Sequence, residues 1–140
     1  MNVKYMKRIL ILITIFLFSL SFIPAQALLI SPFLNLTITK TTIGGDGSFN
    51  FHVDAYQNNS LYFSEDPTII TQNGQGNTYV GTTSGWGDTY YLTEDLPNGW
   101  VFIGANCTSN NPNITFEPID SGVRIITQPY SSVSCNFTNI

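Results

Sequence analysis

Three polar residues sit where apolar ones are expected. Lys40 continues the run Leu34, Leu36, Ile38; Glu94 continues Tyr90 and Leu92; Asn139 continues Cys135 and Phe137. Residues two apart in an extended strand share a face, so an amine, a carboxyl and a carboxamide are all expected on the inward side unless a bulge changes the register. A lone buried ammonium is costly, so an inward lysine needs a partner or a way out. The plain outcomes are a Lys40–Glu94 salt bridge, or a lysine that snorkels to solvent.

The elements that would position these groups occupy only part of the 140 residues. Lys4, Lys7 and Arg8 precede an apolar stretch, Ile9 to Ile23, which Pro24 ends before Ala25-Gln26-Ala27. A positive region, a short apolar core and small residues at a cleavage point read as a secretory signal peptide over 1–27, cut after Ala27. An uncleaved anchor is the alternative, although the run is short for a membrane span. Residues 28–140 form the expected single domain, with nine acidic residues against Lys40 and Arg124 (2 − 9 = −7). Two cations cannot build a nucleic-acid groove, so nucleic acid is excluded as a partner. Membrane contact is expected only through the leader, if it stays uncut.

Export makes a disulfide the default reading for Cys107 and Cys135. Alternation groups Cys107 with Val101, Ile103 and Ala105 on an inward face, as it does Cys135, which supports their pairing. His52 is the only imidazole and falls on the polar side of Phe49, Phe51 and Val53, so it is expected to face solvent. Two Cys and one His do not make a standard zinc site. Asp46, Glu65, Asp66 and Asp88 lack calcium-loop spacing, and no cofactor is expected. The sequons at Asn35, Asn58, Asn106, Asn113 and Asn136 suggest surface positions and glycosylation candidates, with Asn35 and Asn136 on the outward register.

After Ala27 the pattern is alternation punctuated by turns, not helical periodicity. Strands are expected around Leu34–Lys40, Phe49–Asp54, Thr68–Thr71, Thr78–Thr82, Thr89–Thr93, Trp100–Ala105, Ile114–Glu117, Val123–Thr127 and Val133–Thr138. Gly44-Gly45-Asp46-Gly47, Asn73-Gly74, Ser84-Gly85, Asn98-Gly99 and Ser121-Gly122 separate them, and Ala55–Pro67 reads as a long loop. About seven to nine short strands at this spacing describe an all-β sandwich or barrel.

Leu36-Thr-Ile-Thr-Lys40, Tyr90-Tyr-Leu-Thr-Glu94-Asp-Leu-Pro-Asn-Gly-Trp100 and Cys135-Asn-Phe-Thr-Asn139, in that order, resemble a SpaA-type (Cna B-type, prealbumin-like) domain of secreted and surface proteins. The resemblance spans nearly all of 28–140. It implies a prealbumin/transthyretin-like β-sandwich. It also implies a spontaneous isopeptide bond from a first-strand lysine to a last-strand asparagine, assisted by a mid-chain glutamate; by motif these are Lys40, Asn139 and Glu94. Burial favours neutral amine and protonated carboxyl, so the first can attack while the second polarises the amide and passes protons. The cysteine pair could instead take over the role of that staple.

The leading functional expectation is therefore a secreted or cell-surface structural or adhesive module, not an enzyme, with other surface proteins or glycans as partners. A carbohydrate-binding module is the alternative. It would stack sugars on Trp86, Trp100, Tyr90 or Tyr91, with Trp86 in Ser84-Gly85-Trp86-Gly87-Asp88 best placed, although core packing is the ordinary fate of such rings. A secreted glycosidase would need paired carboxylates and a cleft, and no catalytic motif is present.

Overall fold

The computed structural model describes residues 34–82, 89–127 and 130–140, within a compact unit running over Ser31–Ile140. The leader and its cleavage point, together with Trp86 and Asp88, lie outside the described residues.

Ten strands follow in order: β1 (Leu34–Thr42), β2 (Ser48–Gln57), β3 (Ser60–Glu65), β4 (Thr68–Ile70), β5 (Gln75–Thr82), β6 (Thr89–Asp95), β7 (Phe102–Ser109), β8 (Thr115–Ile119), β9 (Gly122–Ile126) and β10 (Ser131–Asn139). They form a four-stranded sheet, β5-β1-β10-β7, and a six-stranded sheet, β3-β2-β6-β9-β8 with β4 also pairing β2. The all-β expectation holds, with one strand more than the upper bound of the count.

Alternation sets the layers. Leu34, Leu36 and Ile38 of β1, Val133, Cys135 and Phe137 of β10, and Phe49, Phe51, Val53 and Ala55 of β2 all face the core at 4% exposure or less. Tyr90 and Leu92 of β6 and Ile125 of β9 close it from the six-stranded side. β1 and β10 run parallel, with Lys40 beside Phe137 and Thr42 beside Asn139. A parallel pair cannot be joined by a tight turn; here the intervening strands make the connection.

Two sequence expectations need correction. Ala55–Pro67 is not a loop: β2 continues to Gln57, turns at Asn58-Asn59 (φ 49° and 62°), and returns as β3. This strand is an edge exposed on nearly every residue, so it carries no apolar alternation to read. Along β7, Val101 and Ile103 do not share the inward face of Cys107; they are 59% and 60% exposed. Asn139 pairs with Phe102 while Thr138 pairs with Gly104, so Ile103 is the extra residue of a bulge. The bulge turns Phe102 inward and leaves Ala105 and Cys107 facing the core.

The Asn73-Gly74 turn behaves as its sequence suggests. Both residues adopt left-handed φ (54° and 77°), and Gln72 and Gln75 exchange backbone hydrogen bonds across it. The turn carries the chain from β4 in one sheet to β5 in the other. Asp46 holds it, its carboxylate accepting from the Asn73 and Gly74 amides at 3.1 and 2.7 Å.

Candidate functional site

At one end of the core, three strands from both sheets bring Lys40, Glu94 and Asn139 together. The three residues are 0%, 3% and 0% exposed. Lys40 and Asn139 extend from the adjacent parallel strands β1 and β10, two register positions apart. Glu94 faces them from β6 in the opposite sheet, where it pairs with Phe51.

Lys40 Nζ lies 2.8 Å from Glu94 Oε1 and 2.9 Å from Oε2, so the ammonium straddles the carboxylate. Asn139 Nδ2 donates to Oε1 at 2.7 Å. The carboxylate thus touches both the amine and the amide. Asn139 Oδ1 is buried and has no hydrogen-bond partner among the described residues. The plain salt bridge is present, and the third group joins it.

Aromatic rings enclose the cluster. Lys40 Nζ sits 4.6 Å from the Phe49 ring centroid. Phe49 meets Trp100 edge-on at 5.2 Å, Phe51 meets Phe137 at 5.0 Å, and Phe102 lies 5.9 Å from Phe137. Loss of water lowers the Lys40 pKa from its ordinary value, and the Glu94 hydrogen bond and charge oppose that shift. Burial thus favours the neutral amine form of Lys40, beside an amide. Phe49, Phe51 and Phe137 of this wall alternate with polar residues on β2 and β10 just as the core does, whereas Trp100 and Phe102 come from β7 and the segment before it.

Cys107 and Cys135 lie opposite each other on β7 and β10 and form a disulfide, with Cα atoms 4.0 Å apart. The bridge ties β10 to its edge-strand neighbour, on the strand that also carries Asn139.

The other candidates are dispersed. His52 faces outward with its side chain 41% exposed, between Asp66 (2.7 Å) and Asp95 (3.0 Å). The hydrogen bonds that Asp66 and then Asp95 accept from the ring raise its pKa. Glu65 is exposed at the end of β3. Tyr90 is buried and Trp100 packs on the core, so neither offers a free ring face for stacking; Tyr91 points outward. Asn58, Asn106 and Asn113 are exposed, and Asn35 and Asn136 are partly so, on the outward register. Asn35 accepts a hydrogen bond from the Tyr79 hydroxyl, and Asn136 one from Thr41 at 3.0 Å.

Comparison with known proteins bears on the same region. Residues 36–140 match the SpaA_4 family, a prealbumin-like fold domain. A solved structure of the major pilin protein (T-13) from Streptococcus pyogenes serotype GAS131465 is similar at 14% identity and a TM-score of 0.45. That match covers 78% of this chain and 46% of the pilin, so the chain spans less than half of the pilin's length. No curated protein matches. The family match takes in the sandwich from Leu36 of β1 onward, with all three residues of the buried cluster, and the chain belongs to the SpaA_4 family of prealbumin-like fold domains.

Proposed function

We propose that this protein is an exported structural module of a cell surface, and that Lys40 and Asn139 join in an isopeptide bond that stiffens it. The observation that carries this reading is the contact of one buried carboxylate with both prospective partners, at 2.8 Å and 2.7 Å. In the reaction Lys40 passes a proton to Glu94. Its neutral Nζ attacks Cγ of Asn139, and the Cγ–Nδ2 bond breaks. Nδ2 departs as ammonia, with its additional proton relayed through Glu94. One N–C bond forms, one breaks, and no oxidant or water enters. The event occurs once per chain, so the protein is a product of this chemistry and does not turn it over. Domains 1–27 and 28–140, as leader and mature module, fit this role, and partners would be other surface proteins.

The benefit is mechanical. β1 and β10 are parallel neighbours, so tension between the start of β1 and the end of β10 shears them apart. A covalent bond from Lys40 to Asn139 carries that tension past almost the whole sandwich. Single-molecule pulling tests this. The wild-type domain should show almost no unfolding extension, whereas Lys40→Ala should release a few hundred ångströms, at about 3.5 Å per freed residue. Equal extensions for the two proteins would refute the reading.

A further inference from the structure

The face of the six-stranded sheet turned away from the core carries a cleft of about 450 Å³ lined by Tyr56, Asn58, Asn59, Thr89, Tyr91 and Arg124. Strand pairing assembles it: Tyr56 lies opposite Thr89 on β6, and Tyr91 lies opposite Arg124 on β9. The Tyr56 and Tyr91 rings meet at 84° with centroids 5.5 Å apart, forming a right-angled corner. Tyr91 is 36% exposed. Asn58 and Asn59 occupy the tight β2–β3 turn, which places two carboxamides at the rim on a short hairpin.

Arg124 adds donors without net charge. Its Nη1 donates to Glu117 at 2.7 Å, which fixes and neutralises the guanidinium. Its Nε is buried and has no hydrogen-bond partner among the described residues. The only other lysine or arginine of the described residues, Lys40, is buried on the opposite side of the sheet, and His52 on the outer face lies between Asp66 and Asp95. An anionic ligand would therefore find no uncompensated positive charge here. A flat apolar ring face, carboxamides beside it and a charge-compensated guanidinium match what a sugar ring presents: one apolar face edged by hydroxyls.

We infer that this cleft binds a neutral glycan, with one sugar face against Tyr91 and hydroxyls hydrogen-bonded to the Asn59 carboxamide and the Arg124 guanidinium. The site lies on the opposite face of the six-stranded sheet from Glu94 and does not depend on the cross-link.

The test is affinity electrophoresis of the exported chain, made in a host that adds no N-glycan so that Asn58 is bare. Gels contain soluble neutral polysaccharides (galactomannan, xyloglucan, mixed-linkage glucan, starch) or acidic ones (polygalacturonate, hyaluronate). At least one neutral polymer should retard the protein. Tyr91→Ala should weaken that retardation at least about tenfold, and Tyr91→Phe should preserve it within about threefold, since stacking needs the ring. Asn59→Ala, on an exposed turn where misfolding is not expected, should weaken it several-fold, as loss of about one hydrogen bond does. Lys40→Met/Glu94→Leu, which abolishes the cross-link without stranding a buried charge, should leave it unchanged. Failure of every neutral polymer to retard the protein would overturn the inference. So would retardation by acidic polymers alone, or undiminished retardation of both Tyr91→Ala and Asn59→Ala.

Discussion

Glu94→Gln preserves the side chain's shape and one oxygen but removes the charge that faces Lys40. Before the bond forms, the ammonium lies 2.8 and 2.9 Å from the two carboxylate oxygens, with both side chains fully buried. Removing one member of such a pair strands the other, at about 3–5 kcal/mol. The variant also loses the proton relay and hence the cross-link. Lys40 and Asn139 are about 100 residues apart, and a covalent closure of that span contributes about 4–5 kcal/mol in the chain-entropy model. Together the losses come to about 7–10 kcal/mol, as much as the whole stability of many domains. Lys40→Met/Glu94→Leu separates the two contributions, because it abolishes the cross-link without leaving a stranded charge. It should lose only about 4–5 kcal/mol. Urea unfolding of the disulfide-intact proteins at neutral pH should therefore rank wild type above the double variant and the double variant above Glu94→Gln. A Glu94→Gln protein within about 1 kcal/mol of wild type, or a double variant below the single one, would refute the reasoning.

Opening the Cys107–Cys135 bridge, which encloses 28 positions, should cost about 3–4 kcal/mol, read as a lower urea midpoint with reductant. Gly74→Ala forces a side chain into φ +77° and sets its Cβ 2.7 Å from the Thr42 carbonyl oxygen, so it should destabilise by about 1–3 kcal/mol in the same assay. His52 should make stability weakly pH-dependent. Its pKa is raised in the folded state by Asp66 and Asp95, so its contribution is fully present below the unfolded value near 6.5 and is lost as pH rises through the folded value. Thermal midpoints should drift down between mildly acidic and mildly alkaline pH, by little because the ring is 41% exposed, and His52→Ala should flatten that drift.

Alternation made most of the sandwich and the whole buried cluster legible. A period of two assigns Lys40, Glu94 and Asn139 to the inner face wherever the strand is regular, and β1, β6 and the inner positions of β10 are regular enough. The same rule failed at Val101 and Ile103, because one bulged residue reverses every side chain beyond it; Gly104, beside the bulge, is the one local residue type that marks it. It also missed β3, whose residues are stabilised by pairing with β2 and not by burial, and which therefore have no apolar period. The cleft beside Tyr91 was illegible for the same reason. It needs the Asn58-Asn59 hairpin to bring a rim to rings from β2 and β6. What brings Lys40 and Asn139 side by side is the parallel pairing of the first and last strands, which follows from no spacing in the sequence.

A bond between Lys40 and Asn139 is read from the intact mass of the exported protein after reduction and deglycosylation. The mass should be lower by one ammonia than the sequence of the mature chain requires. Lys40→Ala should remove that deficit, as should Glu94→Gln. Fragmentation should place the linkage between the peptides containing Lys40 and Asn139. A wild-type mass with no ammonia missing would contradict it, and Lys40, Glu94 and Asn139 would then be a buried, hydrogen-bonded ion pair and nothing more.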